Sequence, residues 1–301
     1  MQIGRAAFTV LILCDALAAP HVPISEGNRK METMQVRVRQ EGGRIASMAL
    51  EDYVAAVLAA ESSNFRSGEA LKAMAVAART YAMYFRDRHR GGRFDFCDTT
   101  HCQDLRRGRV TPQFVRAAEE TAGQLLWFDG SPAATYYHAN CGGVTEAAHE
   151  LWGRHHPYLV RRQDPYCRLA GNPSWESAYS KNLVRKVLAG RGLDAPESLD
   201  DVQVTERTSS GRAARLMLIG ERVVAVPAAV FRLAMQRSLG WRSLPSESFS
   251  VRAAPDKLIF HGRGAGHAVG LCQDGAERMG RAGKSFAEIL THYYPGTVLA
   301  R

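Results

Sequence analysis

Glu61 is the residue whose setting most demands an explanation. Leu50, Tyr53, Val54, Val57 and Leu58 follow the i, i+3, i+4, i+7, i+8 spacing of an amphipathic helix, and the next position on that stripe is Glu61. A carboxylate on an apolar stripe is costly unless it is paired or neutral. Partial burial raises its pKa and favours the protonated form, which a general acid requires. At the end of a helix the same side chain can instead reach into solvent. Periodicity alone leaves both readings open.

A second group of reactive types lies in the loop 93–109 and just before it. His89, Cys97, His101 and Cys102 place four nitrogen or sulfur donors within fourteen residues. Zinc takes four such ligands tetrahedrally, and a full set of protein ligands leaves no open position for water, so such an ion would be structural. The spacing His-x7-Cys-x3-His-Cys is not that of a standard finger, and a Cys97–Cys102 disulfide is the competing reading. Elsewhere, Gly262-Arg-Gly-Ala-Gly266 imitates a phosphate loop. It stands near the C-terminus without the βαβ unit and acidic residue of a dinucleotide site, so no nucleotide or organic cofactor is expected. His267 and Gln273 follow it, and His138 stands before Gly142-Gly143. Each histidine reads either as a ligand-facing group or as a satisfied structural residue in a tight turn.

The chain of 301 residues, 46% hydrophobic and 23% charged, reads as globular, neither disordered nor membrane-spanning. The start is separate. A basic residue at Arg5, an apolar run over 6–14 and small residues Ala16, Ala18 and Ala19 before Pro20 match a secretory signal over residues 1–19. A lipoprotein signal using Cys14 is disfavoured by the bulky Leu13. Cleavage removes one base and one acid, Arg5 and Asp15, so the net charge stays at +9. A basic exported protein suits an anionic polymer. Export, together with the lack of finger spacing, RNA-binding aromatics or a heptad basic region, argues against nucleic acid. Cys97, Cys102, Cys141, Cys167 and Cys272 remain, an odd number that cannot all pair within one chain. With the first two on a metal, Cys141 and Cys167 could form a disulfide and leave Cys272 free.

The elements that must hold these residues are partly readable. Residues 20–34 are polar and aperiodic, a linker. A strand is expected over 35–39 with a turn at Gly42-Gly43, then the helix from Leu50. Ser67 can cap a second helix, with Glu69 in its first turn and the stripe Leu71, Met74, Ala78, Tyr81, Phe85, ended by Gly91-Gly92. Lys72, Arg79 and Arg86 recur every seven residues along one side of it. A short helix at 112–121, a hairpin pairing 125–128 with 134–138, a strand at 257–260 and a helix at 273–279 complete the core. Residues 181–255 read as an appended lobe, with a hairpin at 202–219, a strand at 222–226 and a helix opened by Pro227 and closed by Gly240. The expected fold is α+β: a helix pair packed on a mixed or antiparallel sheet, the core being 35–180 and 256–301, with 181–255 as a smaller β-rich side lobe.

Several ordered motifs add a resemblance. Leu50-Glu-Asp-Tyr-Val54, Glu61, the run 69–82, Asp98-Thr-Thr-His-Cys-Gln103, His138 with Cys141-Gly-Gly143, and the run 262–276 are similar to the stage II sporulation protein D (SpoIID) family, which includes the amidase enhancer LytB. The resemblance covers residues 35 to 301 and is weakest in the lobe. It implies either a peptidoglycan lytic transglycosylase, acting on glycan strands stripped of stem peptides, or a non-catalytic glycan-binding activator of a cell-wall amidase. The family's catalytic acid falls on Glu61, and Lys72 and Arg79 match basic positions implicated in activity. A solvated basic face is the plain alternative for both. Because a cation touching Glu61 would weaken it as an acid, they are assigned to substrate positioning. His138, His267 and Gln273 are expected to hydrogen-bond sugar, and zinc to sit on His89, Cys97, His101 and Cys102. The sequence departs from the family pattern at Ser62-Ser63, where Met-Pro is common, and at Ala268, Cys272 and Asp274, where Gly, Ser and Tyr are usual.

Overall fold

The computed structural model describes residues 34–62, 65–89, 91–169 and 174–301. The expected signal (1–19), Cys14, nearly all of the expected linker (20–34) and Ser63 lie outside the described residues. In chain order the elements are β1 (Gln35–Arg39), β2 (Ile45–Ala49), α1 (Leu50–Glu61), α2 (Gly68–Tyr84), β3 (Phe96–Cys97), α3 (Pro112–Glu120), β4 (Leu125–Phe128), β5 (Ser131–Pro132), β6 (Tyr137–His138), α4 (Ala148–Trp152) and α5 (Pro165–Leu169). There follow β7 (Ser174–Ser180), α6 (Lys181–Gly190), β8 (Asp201–Arg207), β9 (Ala213–Ile219), β10 (Val223–Pro227), α7 (Ala228–Leu239), β11 (Phe249–Ala253), β12 (Lys257–Arg263), β13 (Leu271–Cys272), α8 (Gln273–Arg281), α9 (Phe286–Tyr293) and β14 (Val298–Ala300). The architecture is α+β, with several small sheets rather than one large one.

The first core is built around α2. Its residues Ala70, Leu71 and Ala73–Ala82 are all buried, and α1, α3, α8 and α9 pack against it. A helix apolar on nearly every side can only be a central one. Ser67 caps it by accepting from the Ala70 amide at 3.3 Å, and Glu277 of α8 accepts from the amides of Arg66 (3.1 Å) and Ser67 (3.0 Å). These bonds satisfy amide groups that a helix start leaves open, and they fasten α8 to the start of α2. The helix stops at Tyr84, short of Gly91-Gly92, and residues 85–89 form turns. In α1, residues Leu50 and Tyr53–Ala59 are buried, a wider apolar face than the stripe alone.

A second hydrophobic cluster, from Val184 to Phe260, is formed by α6, α7 and the sheets β10-β9-β8 and β11-β12-β7. Strands β7 and β12 of this cluster lie outside 181–255: β12 is the central strand of its sheet, antiparallel to β7 over 257–263 and to β11 over 258–262. The β8–β9 turn docks the lobe on the first core. Thr208 and Ser210 each donate to Glu146 Oε2 at 2.5 Å, and buried Arg212 donates to the carbonyls of Cys141 and Val144.

One expected pairing differs. β4 turns back through Asp129 (φ 50°) and Gly130 (φ 72°) onto β5, as a two-residue hairpin requires. Residues 137–138 do not extend that hairpin; as β6 they pair in parallel with β13, Leu271 opposite Tyr137 and Cys272 opposite His138. A parallel partner distant in sequence leaves no local signal.

Candidate functional site

Glu61 ends α1 and is only partly exposed. Its carboxyl pKa is raised from 4.5 to about 7, first by burial and then by the negative charge of Asp104; the nearby Gln273 side chain and Asp104 backbone amide offset part of the shift. Three segments therefore meet here: the end of α1, the loop 103–106 and the first residue of α8. The loop is tied down because the Arg106 amide donates to the Ala56 carbonyl of α1 at 3.0 Å. Behind Glu61, Tyr53 donates to Gln103 Oε1 (3.0 Å) and Gln103 Nε2 donates to Tyr137 Oη (2.9 Å). The buried Tyr137 phenol is pushed up by burial and by the Glu61 charge, so it stays neutral beside the carboxyl. Asp104 pairs with Arg106 at 3.3 Å, and Arg106, Arg107 and Arg109 line an exposed loop next to it.

Such a group can give a proton and take one back near neutral pH, which is what acid–base work at an ether or acetal oxygen requires. The sequence pointed to Glu61 and Gln273 but not to Gln103 or Tyr137, whose phenol is brought in by the β6–β13 pairing. Asp104 is one of two residues, with Asp52, that could supply the second carboxyl a hydrolase needs, and spacing alone does not single it out.

His138 and His267 form a second constellation. His138 is buried with its Nδ1 3.2 Å from the Val269 carbonyl, and its Nε2 has no partner among the described residues. His267 accepts from the Val269 amide through Nδ1 (3.1 Å), so its other nitrogen carries the hydrogen. The rings are 5.6 Å apart, with Trp152 5.0 Å from His267. Burial lowers both pKa values, that of His267 to about 3, with Arg232 next in effect there. Both imidazoles are neutral at any physiological pH and serve as hydrogen-bonding groups rather than cations.

The basic row on α2 is not one surface. Arg79 is completely buried: it pairs with Glu51 (Nε to Oε1 2.9 Å) and donates to the carbonyls of Ala118 (2.9 Å) and Gln124 (3.3 Å). Its donors are engaged in joining α1, α2 and α3, and none faces solvent. Lys72 is partly exposed and pairs with Glu69 (3.1 Å) and Glu120 (2.7 Å). The seven-residue spacing is real, but α2 is wrapped by neighbours, so one side of it lies inside the protein.

His89, Cys97, His101 and Cys102 do converge. Their ligand atoms all lie within 4.8 Å of one another. His89 Nε2 is 3.2 Å from Cys102 Sγ, the two sulfurs are 3.5 Å apart, and His101 Nδ1 is 3.6 Å and 3.7 Å from Cys97 and Cys102. Ligands about 2.0–2.3 Å from one tetrahedral ion stand roughly 3.3–3.8 Å apart, so the set fits a single ion. Burial lowers the pKa of His89 and keeps it neutral, as a ligand must be. The two sulfurs are not bonded, and all five described cysteines are free. The Cys141–Cys167 pairing with Cys272 apart is likewise not formed: Cys272 Sγ accepts from the Cys141 amide at 3.3 Å and stands with both other thiols.

The family model SpoIID, Stage II sporulation protein, matches residues 39–128, which span α1, α2 and the Cys/His loop. An uncharacterised protein of Brachyspira hyodysenteriae is 33% identical over 254 residues, covering 84% of this chain and 67% of that protein. Stage II sporulation protein D of Bacillus subtilis is 24% identical over 297 residues, covering 92% of this chain and 83% of the relative. The amidase enhancer of Bacillus subtilis is 28% identical over 272 residues, 77% of this chain but only 38% of the enhancer. The chain belongs to the stage II sporulation protein D family. No helix among the described residues is long and apolar enough to cross a membrane.

Proposed function

We propose that this chain is an exported lytic transglycosylase that cleaves peptidoglycan glycan strands, with Glu61 as the single acid and base. The observation that carries the reading is the carboxyl of Glu61, poised near neutrality by burial and by Asp104 at a partly open site. Protonated Glu61 gives its proton to the glycosidic oxygen as the bond from the anomeric carbon breaks. The resulting carboxylate takes the proton of the 6-hydroxyl of the same N-acetylmuramic acid, whose oxygen closes on the anomeric carbon. The product is a 1,6-anhydro end, Glu61 is again protonated, and no water is consumed. Asp104 lies where its charge both holds the proton on Glu61 and favours the oxocarbenium-like transition state.

Partly exposed His267 is the sugar-facing donor in this reading, whereas Gln273 and His138 are buried, the first beside Glu61 and the second near His267. Lys72 and Arg79 support the helix packing. The exposed Arg106, Arg107 and Arg109 supply the positive field that attracts strands whose stem peptides have been removed. The group His89, Cys97, His101 and Cys102 holds a structural zinc, which fixes the loop carrying Gln103 and Asp104. Export rests on the signal-like residues 1–19.

The test is incubation of the protein with purified glycan strands, with and without stem peptides, followed by mass spectrometry, with Glu61→Gln in parallel. New 1,6-anhydro ends made by the wild type alone support the assignment. Intact strands that co-sediment with both proteins would refute cleavage. They would favour the second reading, which the similarity to an amidase enhancer supports: a glycan-binding protein that activates a cell-wall amidase.

A further inference from the structure

The geometry points to a second metal site, made of Cys141, Asp164, Cys167 and Cys272, that takes one thiophilic divalent cation of the zinc class. The four ligand atoms lie within 4.8 Å of one another, and all four residues are buried. Cys141 Sγ is 3.3 Å from Asp164 Oδ2, and the three sulfurs lie within 4.8 Å of one another. Three sulfurs and one carboxylate oxygen make a complete tetrahedral set, so the ion would be structural. The closeness of the donors leaves room for one ion and none for a cluster of several irons.

The surroundings are those of a built site. The Cys141 amide donates to Cys272 Sγ (3.3 Å), the Cys167 amide to Asp164 Oδ1 (2.9 Å) and Tyr293 Oη to Asp164 Oδ2 (2.8 Å), bonds that orient ligands and spread their charge. Buried Arg212 donates to the Cys141 carbonyl and places a positive charge beside the group. Gly275 is part of the construction, because a Cβ there would lie 2.0 Å from Tyr293 Oη and 2.4 Å from Asp164 Oδ2. Loading exchanges three thiol protons for one divalent cation, leaving a net charge of −2 on the ion and its ligands, opposite Arg212.

The ligands come from the loop after β6, the start of α5 and the end of β13, so the ion would tie together three segments distant in sequence. It would also repeat a device. Cys102 directly precedes Gln103, and Cys272 directly precedes Gln273; both glutamines belong to the surroundings of Glu61. Each metal would anchor one wall of that site.

The experiment uses the full chain purified without a histidine tag. Metal is counted by elemental analysis, and cysteines are alkylated in denaturant without reductant and mapped by mass spectrometry. Two equivalents of metal are expected in the wild type, one in Cys97→Ser and one in Cys272→Ser, with Cys141, Cys167 and Cys272 all alkylated. If Cys272→Ser does not fold, Cys97→Ser decides alone: it must retain one equivalent, and cobalt in its place must show thiolate charge-transfer absorption. A disulfide among Cys141, Cys167 and Cys272, a Cys97→Ser protein free of metal, or a folded Cys272→Ser with two equivalents would each overturn the proposal.

Discussion

Replacing Glu61 with glutamine tests the raised proton affinity without presupposing any reaction. The carboxyl titrates at 4.5 when unperturbed and at about 7 in the folded protein. At pH 4 it is protonated in both states, and its titration contributes nothing to stability. Between 4.5 and 7 the unfolded chain ionises first, so the folded state binds more protons and stability falls as pH rises. Above 7 the penalty is complete, about 3 kcal/mol at about 1.36 kcal/mol per pH unit. Glutamine imitates the protonated acid and never ionises. Glu61→Gln should therefore match the wild type near pH 4 and exceed it by up to about 3 kcal/mol at pH 8. Urea unfolding of both proteins from pH 4 to 8 measures the difference. A gap that does not change with pH, or that widens toward acid, would refute the argument that burial and Asp104 hold the proton on Glu61.

Three further outcomes are expected. Arg79→Ala should lose about 3–5 kcal/mol by leaving Glu51 unpaired, and the double variant Arg79→Met with Glu51→Leu, which removes both charges, clearly less; denaturant midpoints of the two proteins check this, and equal losses would contradict a buried ion pair. Cys97→Ser should lose one bound metal equivalent and lower the melting temperature, and treating wild type with a chelator, which removes every ion, should lower it at least as far; elemental analysis and thermal unfolding read both. Gly270→Ala should destabilise by about 2–4 kcal/mol, combining a left-handed φ of 73° with a Cβ 2.1 Å from the Tyr136 carbonyl; an unchanged midpoint would mean that the β6–β13 pairing tolerates that clash.

Local features were legible where one stretch of chain carries its own reason. The limits of α1, the Ser67 cap, the Asp129-Gly130 turn and the α7 helix opened at Pro227 and closed by Gly240 all follow from period, capping and turn chemistry. The capping box of α9, where Ser285 and Glu288 exchange bonds, carried such a signal as well but was not read. Strands β7 and β11 carried a signal that was not read either: burial alternates along both, and Phe249-Ser-Val-Arg-Ala253 alternates apolar and polar residues.

Residue types and spacing alone determined that Glu61 sits on an apolar stripe and that four Cys and His donors lie within fourteen residues, since both are matters of short range. Tertiary structure decided the rest. It put Arg79 inside the protein because other helices surround α2, and a seven-residue spacing cannot tell an outer face from an inner one. It set Asp104 beside Glu61 by tying the loop 103–106 to α1, and it brought Gln273 to Glu61 and Cys272 to Cys141 and Cys167 through a two-residue parallel pairing between β6 and β13. Contacts separated by more than a hundred residues depend on which surfaces the packed cores bring together, and no local pattern encodes that.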